Sequence, residues 1–211
     1  MATAPDPTTR PRSRRAGRPR SAAVDAAILD AALGLLSAEG YARMSMDAVA
    51  ARAGVSKATI YLRYAGKADL ATAALAHLRE TGRPTPAGDL RGDLIAQLRQ
   101  VRVNADRVSV MPLIGTCLTE EQHTPDLLRL FRERTVRPRR ALYRAILDDA
   151  RRTGALADDA DLEPALDLLM GAYQSHYLSG EPFPERWEER IVDVILAALR
   201  AGPPVGERPD G

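Results

Sequence analysis

A chain of 211 residues, 45% hydrophobic and 27% charged, is long enough for one sizeable domain or two small ones and has an ordinary globular composition. No run of about 18 apolar residues occurs, which excludes a bilayer-spanning helix. Cys117 is the only cysteine, so an intrachain disulfide is excluded and the cytoplasm is the expected location.

The net charge of +2 is unevenly spread. Residues 1–80 hold 12 Lys/Arg against 7 Asp/Glu, and residues 81–211 hold 18 against 21. A basic N-terminal part on a mildly acidic body is the electrostatic footprint of a nucleic-acid-binding head. Only Lys57 and Lys67 among the basic residues are lysine, a skew typical of a GC-rich genome that lowers the information carried by any one arginine.

Residues 1–20 are rich in arginine and proline, lack both an apolar period and a secretory apolar region, and are expected to form a disordered arm. Val24, Ile28, Ala31, Ala32, Leu35 and Leu36 then recur at helical spacing up to Gly40. Ser45 opens a short helix over Met46–Ala53, closed by Gly54, and Ser56 opens another to about Tyr64. A further helix is expected over Lys67–Glu80, after which the Gly-, Pro- and Thr-rich residues 81–88 mark a domain boundary. The expected domains are therefore an arm at 1–20, a DNA-binding domain at 21–80 and a helical body at 81–211. In the body, Asp89 caps a helix to about Val108. Thr124-Pro125-Asp126 starts one reaching Arg152 and bent at Pro138, with Thr124 as the capping hydroxyl. Asp161 opens a helix to about Leu178, and Pro184 opens the last. With no convincing strand alternation, the fold class is all-α, about nine helices.

Residues Ser45–Tyr61 have the spacing of a helix-turn-helix: Val49 and Ala50 face inward, Gly54 permits the tight turn, Val55 plugs the joint and Ile60 packs back. The second helix then presents Ser56, Lys57, Thr59, Tyr61 and Arg63, groups that reach base edges or phosphates in a major groove.

Here the sequence resembles the N-terminal domain of the TetR family of transcriptional regulators, over residues 17–76. The likeness is carried by Gly54-Val55-Ser56-Lys57-Ala58-Thr59-Ile60-Tyr61 and Lys67-Ala68-Asp69-Leu70. It implies an N-terminal three-helix helix-turn-helix domain and a C-terminal ligand-binding and dimerisation domain. The implied function is that of a DNA-binding repressor released from a pseudo-palindromic operator by a small molecule. Ser45 and Ser56 would cap helices and meet phosphate; Lys57, Thr59 and Tyr61 would face the groove; Tyr64 would support the motif; Lys67 would meet phosphate from a helix N-terminus. Two departures stand out. Leu62 occupies a place often held by His, Arg or Tyr, which alters a contact. Ala65-Gly66 replaces a more usual Pro-Ser or Pro-Asn, which weakens a cap and loosens the head from the body. The arm, with Arg12, Arg14, Arg15, Arg18 and Arg20, either inserts into a narrow minor groove or is a solvated tail.

In the body, Trp187, Ile191, Val194, Ile195, Ala198 and Leu199 form one stripe and Leu162, Ala165, Leu166, Leu169, Ala172 and Tyr173 another. Periodicity leaves open whether these are core or a two-fold interface; the resemblance implies a homodimer through the last two helices. The candidate ligand pocket comprises Leu98, Val101, Met111, Ile114, Cys117, Leu118, Tyr143, Met170, Tyr173, Gln174 and Tyr177, which suits an apolar or amphipathic effector. Cys117 lies within an apolar run and reads as inert rather than as a redox sensor.

No enzyme is expected. His77, His123 and His176 lie far apart, and no metalloprotease signature, phosphate loop or nucleophile elbow occurs. No catalytic residue, metal or cofactor is assigned; Glu120-Glu121-Gln122-His123 resembles a metal set only superficially. The alternative function is a helical DNA-binding activator or architectural protein without a small-molecule pocket. Double-stranded DNA is the partner in either case, and no membrane is involved.

Overall fold

The computed structural model describes the backbone of residues 18–201 and the side chains of residues 22–201. Nine helices and no strand are found among the described residues. Helix α1 (Arg18–Arg43) carries the first apolar stripe and breaks at Gly40, whose φ of 77° is open to glycine at little cost. Because α1 begins at Arg18, Arg18-Pro19-Arg20 has helical rather than extended backbone. Their side chains, with the arginines before them, lie outside the described residues.

Helices α2 (Met46–Ala53) and α3 (Lys57–Tyr61) form a tight pair. The Ser45 hydroxyl accepts the Ala48 N–H at 3.1 Å, and Ser56 accepts that of Thr59 at 3.1 Å. Gly54, left-handed at φ 66°, donates back to the last carbonyls of α2 and turns the chain. The second helix is shorter than its sequence suggests, ending at Tyr61 instead of about Tyr64. Ile28, Ala32, Leu36, Met44, Val49, Ile60 and Leu70 are almost wholly buried between these helices and α4 (Lys67–Glu80). Burial of each large aliphatic contributes about 1.5–3 kcal/mol.

The weak cap expected at Ala65-Gly66 is compensated. Gly66 has no side chain to offer, but the Asp69 carboxylate accepts the Ala65 N–H at 2.7 Å. The same carboxylate pairs with Arg134 of the body at 2.5 Å, and Arg134 also donates to the Asp69 carbonyl and the Thr72 hydroxyl. The junction expected to be loose is thus bridged by an ion pair.

The body begins with α5 (Leu90–Val108), capped by Asp89, and α6 (Val110–Thr119). Ser109 joins them in one left-handed residue, and the Ser37 hydroxyl holds the end of α5 by donating to the Arg107 carbonyl at 2.9 Å. Helix α7 spans residues 125–152 in three parts: Pro125–Phe131, a π turn at Arg132–Val136, and Arg137–Arg152. The π turn is the form taken by the bend expected at Pro138. A proline ring cannot sit against the carbonyl four residues earlier and brings no N–H, so the preceding turn widens and the Arg137 N–H reaches back to Arg132. Thr124 makes no side-chain cap, its place being taken by its carbonyl accepting the Leu127 N–H. Helix α8 (Leu162–Ser179) is capped by Asp161. The last helix, α9 (Trp187–Ala201), starts at Trp187 and not at Pro184, since Arg186 lies at φ 56°.

Two apolar clusters result. One joins α1–α4 to Val108, α6 and the start of α7; the other joins α5, the rest of α7, α8 and α9. Packing therefore does not divide at residue 80, and the head is seated on α6 and α7. Helix α9 is fastened to α5 by Arg91–Asp193, Arg99–Glu189 and Arg102–Glu188, the last at 2.6 Å with Glu188 buried.

Candidate nucleic-acid interface and ligand cavity

The outer face of α3 carries Lys57, Thr59, Tyr61 and Leu62. Lys57 is half-exposed and pairs with Asp47 of α2 at 2.9 Å, which raises its pKa. The Thr59 and Ser56 hydroxyls share one hydrogen bond of 2.8 Å, which leaves one of the two O–H groups free to donate, and the Thr59 side chain edges the exposed face. Tyr61 is 50% exposed and Leu62 84%. An exposed apolar side chain of that size, one residue beyond a recognition helix, is suited to a thymine methyl group.

The other residues expected at this face are engaged within the protein. Arg63 does not project from α3: its guanidinium pairs with Asp25 of α1 at 2.5 Å and donates to the Thr59 carbonyl, bracing α3 against α1. Tyr64 turns inward onto the head core, where burial raises its phenol pKa. Lys67 donates to the Ala42 carbonyl at 2.9 Å and lies over the Tyr41 ring at 4.5 Å; burial lowers its pKa. Ser45 and Ser56 serve as caps. The acids that hold these cations, Asp25 and Asp47, were missed from sequence because they lie 38 and 10 residues from their partners.

A cavity of about 550 Å³ opens between the two apolar clusters, within the range of small-molecule sites. Its wall is supplied by α4 (Leu75, Leu78, Arg79), α5, α6, the π turn of α7 (Arg132, Thr135, Val136) with Arg139, and α8. Of the residues expected to line a pocket, Val101, Ile114, Leu118, Met170, Tyr173 and Gln174 do so. The remainder do not. Leu98 is packed wholly inside the second cluster, and Met111 lies against the same cluster. Cys117 belongs to the first cluster, where burial pushes its thiol up to about 11, so it is un-ionised at neutral pH. Tyr143 is buried beyond Arg139, beside a recess of about 20 Å³, with its phenol raised to about 12. Tyr177 is 46% exposed on the outside of α8. Spacing alone could not separate wall from core, because residues of both kinds share the same apolar stripes, as Leu98 and Val101 do on α5.

Tyr173 donates to Asp106 at 3.1 Å at the cavity edge, and burial raises its phenol to about 12. Among the described residues no group of three or more His, Cys, Asp or Glu is placed to hold a metal, and no helix is long and apolar enough to cross a membrane.

Comparison with known proteins agrees with this geometry. Residues 28–74 match the family described as bacterial regulatory proteins, tetR family, and residues 84–195 match the tetracyclin repressor-like C-terminal domain. The chain is 33% identical over 180 residues to the DNA-binding transcriptional repressor TetR of Mycobacteroides abscessus, covering 84% of this chain and 94% of that one. It is 32% identical over 179 residues to an HTH-type transcriptional regulator of Mycobacterium tuberculosis, covering 82% and 86%. Among solved structures it is similar to the TetR family transcription regulator SCO0332, at a TM-score of 0.67 and 32% identity over 83% of this chain and 98% of that one.

Proposed function

The chain belongs to the tetR family of bacterial regulatory proteins, DNA-binding transcriptional regulators, and from that premise we propose that it is a repressor released from a pseudo-palindromic operator by a small apolar or amphipathic molecule. The observation that carries the ligand half is the cavity itself. It runs from α4, the helix that bears the head, to the π turn of α7, and Arg134 of that turn grips Asp69 of α4. A ligand that alters the π turn therefore acts on the helix from which the helix-turn-helix hangs. Release requires that the ligand bind the DNA-incompetent arrangement more tightly than the DNA-bound one.

On the DNA side, α3 lies in the major groove with Thr59, Tyr61 and Leu62 toward base edges. Lys57 exchanges Asp47 for a phosphate. Ser45 and Ser56 stand at helix N-termini that favour phosphate, while Arg63 and Tyr64 brace the motif. Lys67 stays on α1, stiffening the join between α1 and α4. The arm residues Arg18 and Arg20 approach the adjacent minor groove. The working form is a homodimer through α8 and α9, which supplies two heads for two half-sites. Supporting this, Leu168, Leu178 and Val194 are 54%, 75% and 69% exposed on the outer faces of those two helices, an apolar surface that a lone protomer leaves wet. The site of action is the cytoplasm.

The test is a footprint on the DNA flanking the gene, followed by a screen for apolar compounds that abolish it. One two-fold protected stretch, lost on adding a compound, supports the reading. Uniform coating of any duplex, with no releasing compound, favours the architectural alternative.

A further inference from the structure

The cavity is not wholly apolar. Arg139 lines it from α7, part-exposed, and among the described residues no hydrogen bond or ion pair engages its guanidinium. Burial lowers its pKa, with Tyr143 raising it and the like charge of Arg79 lowering it by lesser amounts, yet an arginine keeps its charge in a protein. Every other charged side chain on the wall is already matched: Arg79 with Glu80 at 2.7 Å, Arg132 with Glu121 at 3.4 Å, and Asp167 with Arg140 at 2.5 Å.

Unpartnered polar atoms gather around the same point. Thr135 and Tyr143 lie one turn either side of Arg139 on one face of α7, and both hydroxyls lack a partner although the side chains are 4% and 1% exposed. Gln174 faces them from α8 with an unpartnered amide oxygen, and Arg79 Nε is likewise unmet. Folded proteins leave few buried polar atoms unsatisfied. Three of these atoms, on Thr135, Gln174 and Arg79, belong to side chains of the cavity wall, and together with one unmatched cation in a mostly apolar wall they suit an anionic group.

We propose that the effector is an amphipathic monoanion, an apolar body with one carboxylate, whose carboxylate is received by Arg139 and the Thr135 hydroxyl. The Gln174 amide on the same wall completes the polar end, donating from its NH₂. The body lies along Phe131, Leu128 and Ile114 toward the opening. One unmatched cation suits one negative charge; a polyphosphate would leave charges unmet in an apolar enclosure. The inference rests on the cavity being the effector site.

The experiment measures binding of decanoate, decan-1-ol and decylamine to the full chain by calorimetry and by the rise in thermal unfolding temperature at fixed protomer concentration. Decanoate is expected to bind about tenfold or more tighter than decan-1-ol, with decylamine weakest. Arg139→Met is expected to erase that preference while keeping decan-1-ol binding, and Arg139→Lys to retain part of it. Equal binding of the three to the wild type, or an undiminished decanoate preference in Arg139→Met, overturns the monoanion and leaves the cavity as an effector site for neutral molecules. Binding of none of the three overturns both readings. If Arg139→Met does not fold, the wild-type order of the three probes and its loss in Thr135→Val decide the matter.

Discussion

Asp69→Ala removes two interactions with one atom group. Its carboxylate accepts the Ala65 N–H at 2.7 Å, standing in for the cap that Gly66 cannot supply, and pairs with Arg134 at 2.5 Å. A lost cap bond costs about 1 kcal/mol, and a lost hydrogen bond to a charged group about 1.5–3 kcal/mol. With the two side chains 17% and 33% exposed, solvent recovers part of the second amount. Arg134 also keeps its bonds to the Asp69 carbonyl and the Thr72 hydroxyl. The net loss is about 2–3 kcal/mol. Urea unfolding at fixed protomer concentration measures it, and for a chain of this size the matching fall in unfolding temperature is about 4–12 °C. A double-mutant cycle with Arg134→Ala isolates the pair, for which a coupling of about 1 kcal/mol or more is expected. A stability change under about 0.5 kcal/mol, or no coupling, would refute the bridge between head and body.

Lys57→Ala is expected to weaken DNA binding and to lower the salt slope by roughly one unit; an unchanged slope removes Lys57 from the phosphates. Tyr61→Ala and Leu62→Ala should change which sequences are selected from random DNA, whereas Arg63→Ala should weaken binding without changing them. Leu168→Glu with Val194→Glu should convert a dimer to a folded monomer, read by light scattering, because both side chains are exposed within a protomer. Cys117, raised to about 11, should resist thiol reagents at neutral pH. Since its folded pKa lies above its unfolded one, its contribution is complete below pH 9 and is lost as pH rises toward 11. Cys117→Ala should therefore flatten the alkaline fall in stability, and an unchanged profile would contradict the burial argument.

The head was legible because local chemistry writes it: Ser45, Gly54 and Ser56 act within three or four residues, and their caps and turn follow from side-chain type. The second helix read long because Leu62 and Arg63 carry no stop signal. What could not be read was long-range. Arg63 looked like a groove contact because Asp25 sits a helix away, and Ala65-Gly66 looked weak because its substitute cap, Asp69, is held by Arg134 from 65 residues on. Pro138 announced a bend but not that the turn before it would widen to a π turn. The cavity wall was half legible: Val101, Ile114 and Met170 follow from apolar pattern, but Arg139 and Thr135 do not, since one arginine in an arginine-rich helix carries no mark of its surroundings.

The central claim is that a homodimer of this chain reads a two-fold DNA site and lets go when its cavities fill. It is tested most directly by footprinting the purified protein on the DNA flanking its gene, with and without a compound shown by calorimetry to bind at the cavity. The account predicts a single protected stretch with two-fold symmetry that disappears at saturating compound and persists in a variant with the cavity filled by Val136→Trp only if that variant no longer binds the compound. Protection that is unaffected when the wild-type cavity is saturated would contradict it.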